Sequence, residues 1–209
     1  MALVFTVAQQ KGGSGKTTLA AQIAVAWAKR GHAVAAVDID PQASLAAWGA
    51  ERERAPSGTV PLTLRGLAGW KLATELDRLK REHDMVVVDS PPHAETDAHA
   101  AVRAADLALV PVQPSPMDLW AIGPTLAIAR SERVPWRLVL NRVPARGRMV
   151  ETARAHIADQ GLAAAGTTLG NRTAFARSLM QGRGVVESEP RSAAAREIDA
   201  LAAELENPR

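Results

Sequence analysis

Lys11-Gly12-Gly13-Ser14-Gly15-Lys16-Thr17-Thr18 decides the reading of this 209-residue chain. It follows an apolar run, Ala2-Leu3-Val4-Phe5-Thr6-Val7-Ala8, and precedes an Ala/Leu-rich stretch of helical character. Strand, glycine-rich loop and helix, in that order, is the context of a phosphate-binding loop. Glycines let backbone N–H groups close around a chain of phosphates, and the new helix turns its positive end toward them. In such a loop Gly12, Gly13, Ser14, Gly15 and Thr18 shape the cradle. Lys16 reaches the β- and γ-phosphates, and Thr17 offers its hydroxyl to Mg²⁺.

The ordinary pattern, G-x-x-x-x-G-K-[ST], asks for glycine five residues before Gly15. That position holds Gln10, and a second lysine, Lys11, comes next. This KGGxGKT form resembles the deviant Walker A loop of the ParA/MinD group of ATPases. The resemblance implies ATP and Mg²⁺ as ligands and a homodimer formed with ATP. It also implies that Lys11 reaches across the dimer interface to the nucleotide of the other subunit.

Composition fits one soluble domain spanning 1–209, with 47% hydrophobic and 22% charged residues. The absence of cysteine excludes disulfides, thiolate metal sites and cysteine nucleophiles. No apolar run reaches the roughly 18 residues of a membrane span, and Met1 to Ala8 reads as a core strand rather than a leader. A cytoplasmic protein with no membrane partner is the expectation. Net charge is +3, unevenly spread. Residues 1–129 carry 12 basic and 13 acidic side chains, whereas 130–196 carry 12 arginines against 5 acids. An arginine-only basic segment suits phosphate contact, because the guanidinium forks onto oxyanions. A solvated arginine-rich surface fits the composition equally well.

Apolar runs at 2–8, 33–39, 85–89, 107–112 and 136–141 read as strands, with others near 62–64 and 162–168. They are continuously apolar, as strands covered on both faces are. Helices are expected over 17–30, 43–50, 70–81, 94–104, 117–130, 149–160, 173–181 and 191–206. The alternation predicts an α/β fold, a doubly wound, mostly parallel sheet flanked by helices. Its ligand lies beyond the carboxyl ends of the strands. Residues 51–59 read as a surface loop.

Two further strand ends carry carboxylates. Asp38 and Asp40, in Val37-Asp38-Ile39-Asp40-Pro41-Gln42, sit at i and i+2 and so share one strand face. Read alone, they also fit an acidic turn. Asp89 ends Met85-Val86-Val87-Val88-Asp89-Ser90-Pro91-Pro92, the Walker B arrangement for holding Mg²⁺. In the resembling family the first pair belongs to switch I. There Asp40 places the attacking water and the metal shell, while Asp38 supports the loop and metal shell. The resemblance thus makes Lys11, Lys16 and Asp40 the catalytic set, with Thr17, Asp38, Asp40 and Asp89 at the metal. His93, Glu95, Asp97 and His99 read as solvated polar residues at a helix start.

Asn141, at the end of another strand, has the donor and acceptor to match an adenine edge, which is its role in the resembling group. A residue that turns the chain fits as well. Arg142 adjoins it at the nucleotide. Gly184-Val185-Val186-Glu187-Ser188-Glu189-Pro190-Arg191-Ser192-Ala193-Ala194 resembles a late family stretch that borders the base and leads into the last helix.

Absences narrow the group. Iron–sulfur branches need cysteine, kinase branches need a tyrosine cluster, and the chain has neither residue. MinD-type proteins end in a basic membrane helix, whereas this tail is acidic. The resemblance is therefore to compact, ParF-like ParA partition ATPases without an N-terminal DNA-reading extension. It implies hydrolysis to ADP and phosphate that is slow without a partner, nucleoid association, and nonspecific DNA binding by the ATP dimer. Candidate DNA contacts are Arg142, Arg146, Arg148, Arg172, Arg177 and Arg183. A centromere-binding or cargo adaptor would stimulate hydrolysis, and the cargo is a plasmid or chromosome. The alternative is a positioning ATPase for a protein cargo, such as a chemoreceptor cluster or microcompartment. A cobyrinate- or dethiobiotin-type synthetase is a third reading.

Overall fold

The apolar run ahead of the loop forms β1 (Leu3–Val7), the inner strand of this computed structural model, which describes residues 2–55, 57–92 and 95–206. β2 (Val34–Asp38), β3 (Thr63–Gly66), β4 (Met85–Asp89), β5 (Leu107–Val112) and β6 (Trp136–Leu140) join it. All neighbours pair in parallel, in the order β3-β2-β4-β1-β5-β6. The chain winds to one side of β1 as far as β3, returns to insert β4, then builds β5 and β6 on the other side. That reversal leaves a crevice at the carboxyl ends of the strands. Register places Asp89 opposite both Val7 of β1 and Asp38 of β2, so two carboxylates stand side by side at the strand tips.

Helices cover both faces, which is why the strands are apolar throughout. α1 (Lys16–Lys29) runs under the sheet with its central residues buried. Its Trp27 ring lies 4.6 Å from Phe5, and Trp27 Nε1 donates to the Ala202 carbonyl at 3.0 Å. That bond fixes α10 (Ala193–Leu205), which seals this face with Ile198, Leu201 and Leu205. α3 (Leu72–Glu82) packs Leu72, Leu76 and Leu79 on the opposite face. Each such side chain contributes roughly 1.5–3 kcal/mol when fully buried. The remaining elements are α2 (Ser44–Arg54), α4 (Glu95–Arg103), α5 (Pro116–Trp120), α6 (Gly123–Ser131), α7 (Met149–Asp159), α8 (Thr173–Met180) and the single turn α9 (Val185–Ser188).

Three expectations are corrected. The helix expected over 117–130 is two helices, because Pro124 lacks an N–H and can enter only the first turn of a new one. The helix expected to stop at residue 50 continues to Arg54, so half of the supposed loop is helical. Residues 162–168 form no strand; the segment meets β6 in one isolated bridge, Leu138 to Ala164, and a second bridge, Val143 to Gly170, lies beyond both.

Candidate functional site

Residues 8–15 join β1 to α1, and with the first turn of α1 they line one wall of a cleft of about 540 Å³. Gly13 and Gly15 take φ of 74° and 97°, a left-handed backbone that suits glycine. A Cβ at Gly15 would also come within 2.5 Å of Asn141 Nδ2. Gly12, Gly13, Gly15, Lys16, Thr17 and Thr18 face the cleft together with Asp40, Gln42, Trp48, Arg142, Leu179 and Met180. Ser14 is buried behind them, and its Oγ has no hydrogen-bond partner.

Burial drives Asp89 and Lys16 toward neutrality. Asp89 is fully buried and neither carboxylate oxygen has a hydrogen bond of standard geometry. Burial pushes its pKa up to about 7, with the nearby Thr17 hydroxyl opposing and Asp38 reinforcing the shift. Burial likewise lowers Lys16, against the pull of Asp89 and Asp40. Two orphaned anionic oxygens beside a desolvated cation and a ring of amide donors fit a phosphate chain with a divalent cation. Thr17, Asp40 and Asp89 would hold Mg²⁺. Mg²⁺ held there would offset the charge of the phosphate oxygens. Lys16 and the loop amides would bind and orient the phosphates.

Asp38 plays a different part. Burial raises its pKa, and backbone donors partly offset this. Its Oδ1 accepts from Asp40 N at 3.0 Å and its Oδ2 from Ala46 N at 2.9 Å. Both oxygens thus hold the loop and the first turn of α2, the support role that the resemblance implies for Asp38. Asp40 Oδ1 accepts from Gln42 N, and Ala43 sits at a left-handed φ of 51°. The loop that presents Asp40 is therefore held in a strained turn.

Asn141 braces the phosphate loop. Its Nδ2 donates to the Ser14 carbonyl at 2.9 Å and its Oδ1 accepts from Arg142 N. Its polar ends face protein backbone rather than an open base pocket. Arg142, at φ 51°, reaches the cleft. The 184–194 stretch lines no part of that cleft. Instead Glu187 is buried against Arg52, while Leu179 and Met180 just upstream form the far wall.

Lys11 stands outside the cleft. Its Nζ is 2.8 Å from Asp118 Oδ1 on α5. Gln9 ties the same stretch to α6, since Thr125 Oγ1 donates to Gln9 Oε1 and accepts from Gln10 N. Sequence reasoning missed Asp118. The signal was Ser115-Pro116-x-Asp118, an N-cap serine with proline at the first helical position and an acid at the third.

Other candidates lie elsewhere. Arg172 is bound by Glu197 and Arg177 by Glu189, so both charges are already compensated. Arg183 donates to the Ser57 carbonyl. Arg146 and Arg148 are exposed in the segment before α7, with no ion pair among the described residues. His99 pairs with Glu132, and Asp97 packs against Gly69. His93 and the Glu95 side chain lie outside the described residues. Among the described residues no cluster of three metal-ligating side chains occurs, and no helix is long and apolar enough to cross a membrane.

The assignment of Asp89 has a direct test. Asp89→Asn removes an unpaired buried carboxylate, so the nucleotide-free protein should melt about 4 °C or more higher at pH 8. Mg²⁺ should then no longer tighten nucleotide binding. An unchanged melting point together with intact Mg²⁺ dependence would exclude Asp89 from the metal site.

Comparison with known proteins meets this geometry. "Maintenance of carboxysome distribution protein A" of Halothiobacillus neapolitanus is 31% identical over 215 residues, covering 98% of this chain and 96% of the relative. The protein of the same description from Gloeobacter kilaueensis is 34% identical over 207 residues, covering 94% and 89%. A probable plasmid-partitioning protein ParA of Thermus thermophilus is 31% identical over 68% of this chain and 54% of its own length. The cell division ATPase MinD of Pyrococcus furiosus shares the fold with a TM-score of 0.81 over the full length of both chains, at 21% identity. Residues 5–186 match the family described as the CobQ/CobB/MinD/ParA nucleotide binding domain. A deviant phosphate loop, an orphaned strand-tip carboxylate and a lysine set outside its own cleft stand within that match, and the chain belongs to this ParA/MinD nucleotide-binding family.

Proposed function

We propose that this protein is an ATP-dependent dimerising ATPase that positions a protein cargo, with nonspecific DNA as its track. The observation that carries the switch is the place of Lys11. It lies beside the cleft, held by Asp118, and does not line the pocket that its own loop forms. A cation so placed serves a nucleotide in a facing subunit. Phosphoryl transfer needs positioning and cationic stabilisation of the transferring group, and here two subunits supply it together. ATP thereby becomes the condition for pairing, and hydrolysis the condition for release.

Protein cargo is preferred over plasmid or chromosome on the strength of the relatives. Those described by carboxysome distribution match almost end to end, whereas the partition relative matches over about half its length. A cargo of the microcompartment kind is therefore proposed. DNA binding is proposed for Arg146 and Arg148, which are exposed and have no ion pair among the described residues, with Arg142 at the cleft.

Filter retention of a random-sequence duplex tests the reading. Retention should appear with a slowly hydrolysed ATP analogue, be absent with ADP, and fall steeply with salt as counterions are released. Equal retention with both nucleotides would overturn the switch. Recovery of a centromere-binding adaptor, rather than a shell or cargo adaptor, with the ATP-trapped protein would return the assignment to plasmid or chromosome segregation.

A further inference from the structure

Two buried polar side chains, Gln9 and Thr125, stand behind the phosphate loop, each 2% exposed. Neither lines the nucleotide cleft. Thr125 lies in the first turn of α6, where Gly123-Pro124 starts a new helix. The fold brings it to Gln9 across 116 residues of sequence. Its hydroxyl donates to Gln9 Oε1 at 2.9 Å and accepts from Gln10 N at 3.1 Å. Gln9 Oε1 also accepts from Lys11 N at 3.3 Å. A hydroxyl has one donor and can accept as well, and here both capacities are engaged.

These bonds consume the main-chain amides of Gln10 and Lys11. The loop residues that line the cleft begin only after them, at Gly12. Because Gln9 and Thr125 are sealed from water, breaking any bond of the ring strands a buried polar group. The root of Lys11 is therefore fixed to α6. Its head is held differently. The Nζ contact with Asp118 belongs to a side chain 37% exposed, and such a pair exchanges partners at little cost. The head can leave for another anion while the root stays in place.

We infer that Gln9 and Thr125 are positioning residues for Lys11, whose hydrogen-bonded ring sets the direction in which this lysine leaves its own subunit toward the nucleotide of a facing one. The inference rests on the trans role proposed above for Lys11. Since neither side chain reaches the cleft, both act through Lys11, and nucleotide binding within the subunit stays with Lys16 and the loop amides. A root fixed before pairing lowers the ordering cost of the dimer interface. It also places the cation, and a misplacement of about 1 Å costs about 10²-fold in rate.

Thr125→Val keeps the shape of the side chain and removes the hydroxyl. Titration of this variant with a fluorescent ADP should give an affinity within about twofold of the unaltered protein. Sedimentation with a slowly hydrolysed ATP analogue should place its dimerisation midpoint at about tenfold higher protein concentration or more. Its turnover of ATP at saturating protein should fall about 10²-fold, with KM unchanged. Thr125→Ser keeps the hydroxyl and should restore the midpoint and the turnover to within about threefold. If Thr125→Val melts too low to assay, Gln9→Met, which keeps the chain length and removes the acceptor, takes its place with the same expectations. Unchanged dimerisation and turnover would overturn the inference. So would a nucleotide affinity that falls in step with dimerisation, the mark of a damaged phosphate loop, or a serine variant as impaired as the valine one. Lys11→Ala separates the two readings. If it dimerises normally, the trans lysine itself fails; if it does not, and Thr125→Val does, only the positioning ring fails.

Discussion

Lys11→Ala should leave nucleotide binding by a single subunit within about twofold, yet abolish the ATP-dependent dimer and lower partner-stimulated hydrolysis by about 10³-fold or more. The binding expectation follows from position. Lys11 is no part of the cleft wall, and its Nζ is occupied by Asp118 at 2.8 Å. Lys16, by contrast, faces the cleft and is buried. The rate expectation follows from chemistry, because a cation delivered in trans to a transferring phosphoryl group is worth 10³–10⁵ in turnover. Titration with a fluorescent nucleotide gives the first quantity. Sedimentation velocity with a slowly hydrolysed ATP analogue gives the second. A normal dimer in this variant would remove the trans lysine.

Asp118→Asn sharpens the test. The Lys11 side chain is 37% exposed, so the pair is screened and contributes about 0–1 kcal/mol. Releasing it should shift the ATP-dependent dimerisation midpoint toward lower protein concentration, by at most about fivefold. A shift in the opposite direction would mean that Asp118 serves the dimer rather than the free subunit.

These expectations show where the sequence was legible. Strand, glycine loop and helix are local features, and each acts through its neighbours in the chain, so the cradle and the strand-tip Asp89 were readable. The partnerships that set their use are long-range. Asp118 lies 107 residues after Lys11, and Asn141 lies 127 residues after the Ser14 carbonyl that it braces. No spacing rule spans such distances. Asp38 was legible only in part. Its alternation with Asp40 correctly puts both on one strand face, but only the fold reveals that Ala46 N and Asp40 N consume its oxygens. The helix break at Gly123-Pro124 was present as a local signal, and an apolar stretch that fitted one longer helix concealed it. The extension of α2 to Arg54 had a weak local signal in the helix formers Glu51-Arg52-Glu53-Arg54. Its Arg52 is anchored by a carboxylate 135 residues away.

That carboxylate leads to the largest stability effect expected. Glu187→Ala should destabilise the protein by about 3–5 kcal/mol, the cost of stranding one partner of a buried ion pair. For a chain of this size the melting temperature should fall by about 6–20 °C. Arg52 and Glu187 meet in a bidentate pair at 2.8 and 2.9 Å, with side chains 5% and 0% exposed. The pair is saturated by backbone. Arg52 also donates to the carbonyls of Val60 and Gly182, and Glu187 accepts from the amides of Val60 and Gly184. Burial tends to raise the Glu187 pKa, but these donors outweigh it and hold the carboxyl below its ordinary 4.5. The group is depressed in the folded state. Its contribution is therefore present above pH 4.5 and is lost as pH falls through the lower, folded value. Glu187→Gln should remove that acid-induced loss.

Arg52→Ala should cost less than Glu187→Ala, because the Val60 and Gly184 amides remain to stabilise the carboxylate. The double variant should cost less than the sum of the two, since the second change removes the charge stranded by the first. Thermal melts of the four proteins supply the cycle, and additive losses would show that the pair is uncoupled. The consequence reaches the nucleotide cleft. Trp48 on α2, under the Arg52 guanidinium at 5.5 Å, faces Leu179 and Met180 across the cleft. The Arg52–Glu187 network fixes the distance between those walls. Nucleotide affinity should therefore fall together with stability in both single variants, whereas Lys11→Ala separates dimerisation from binding.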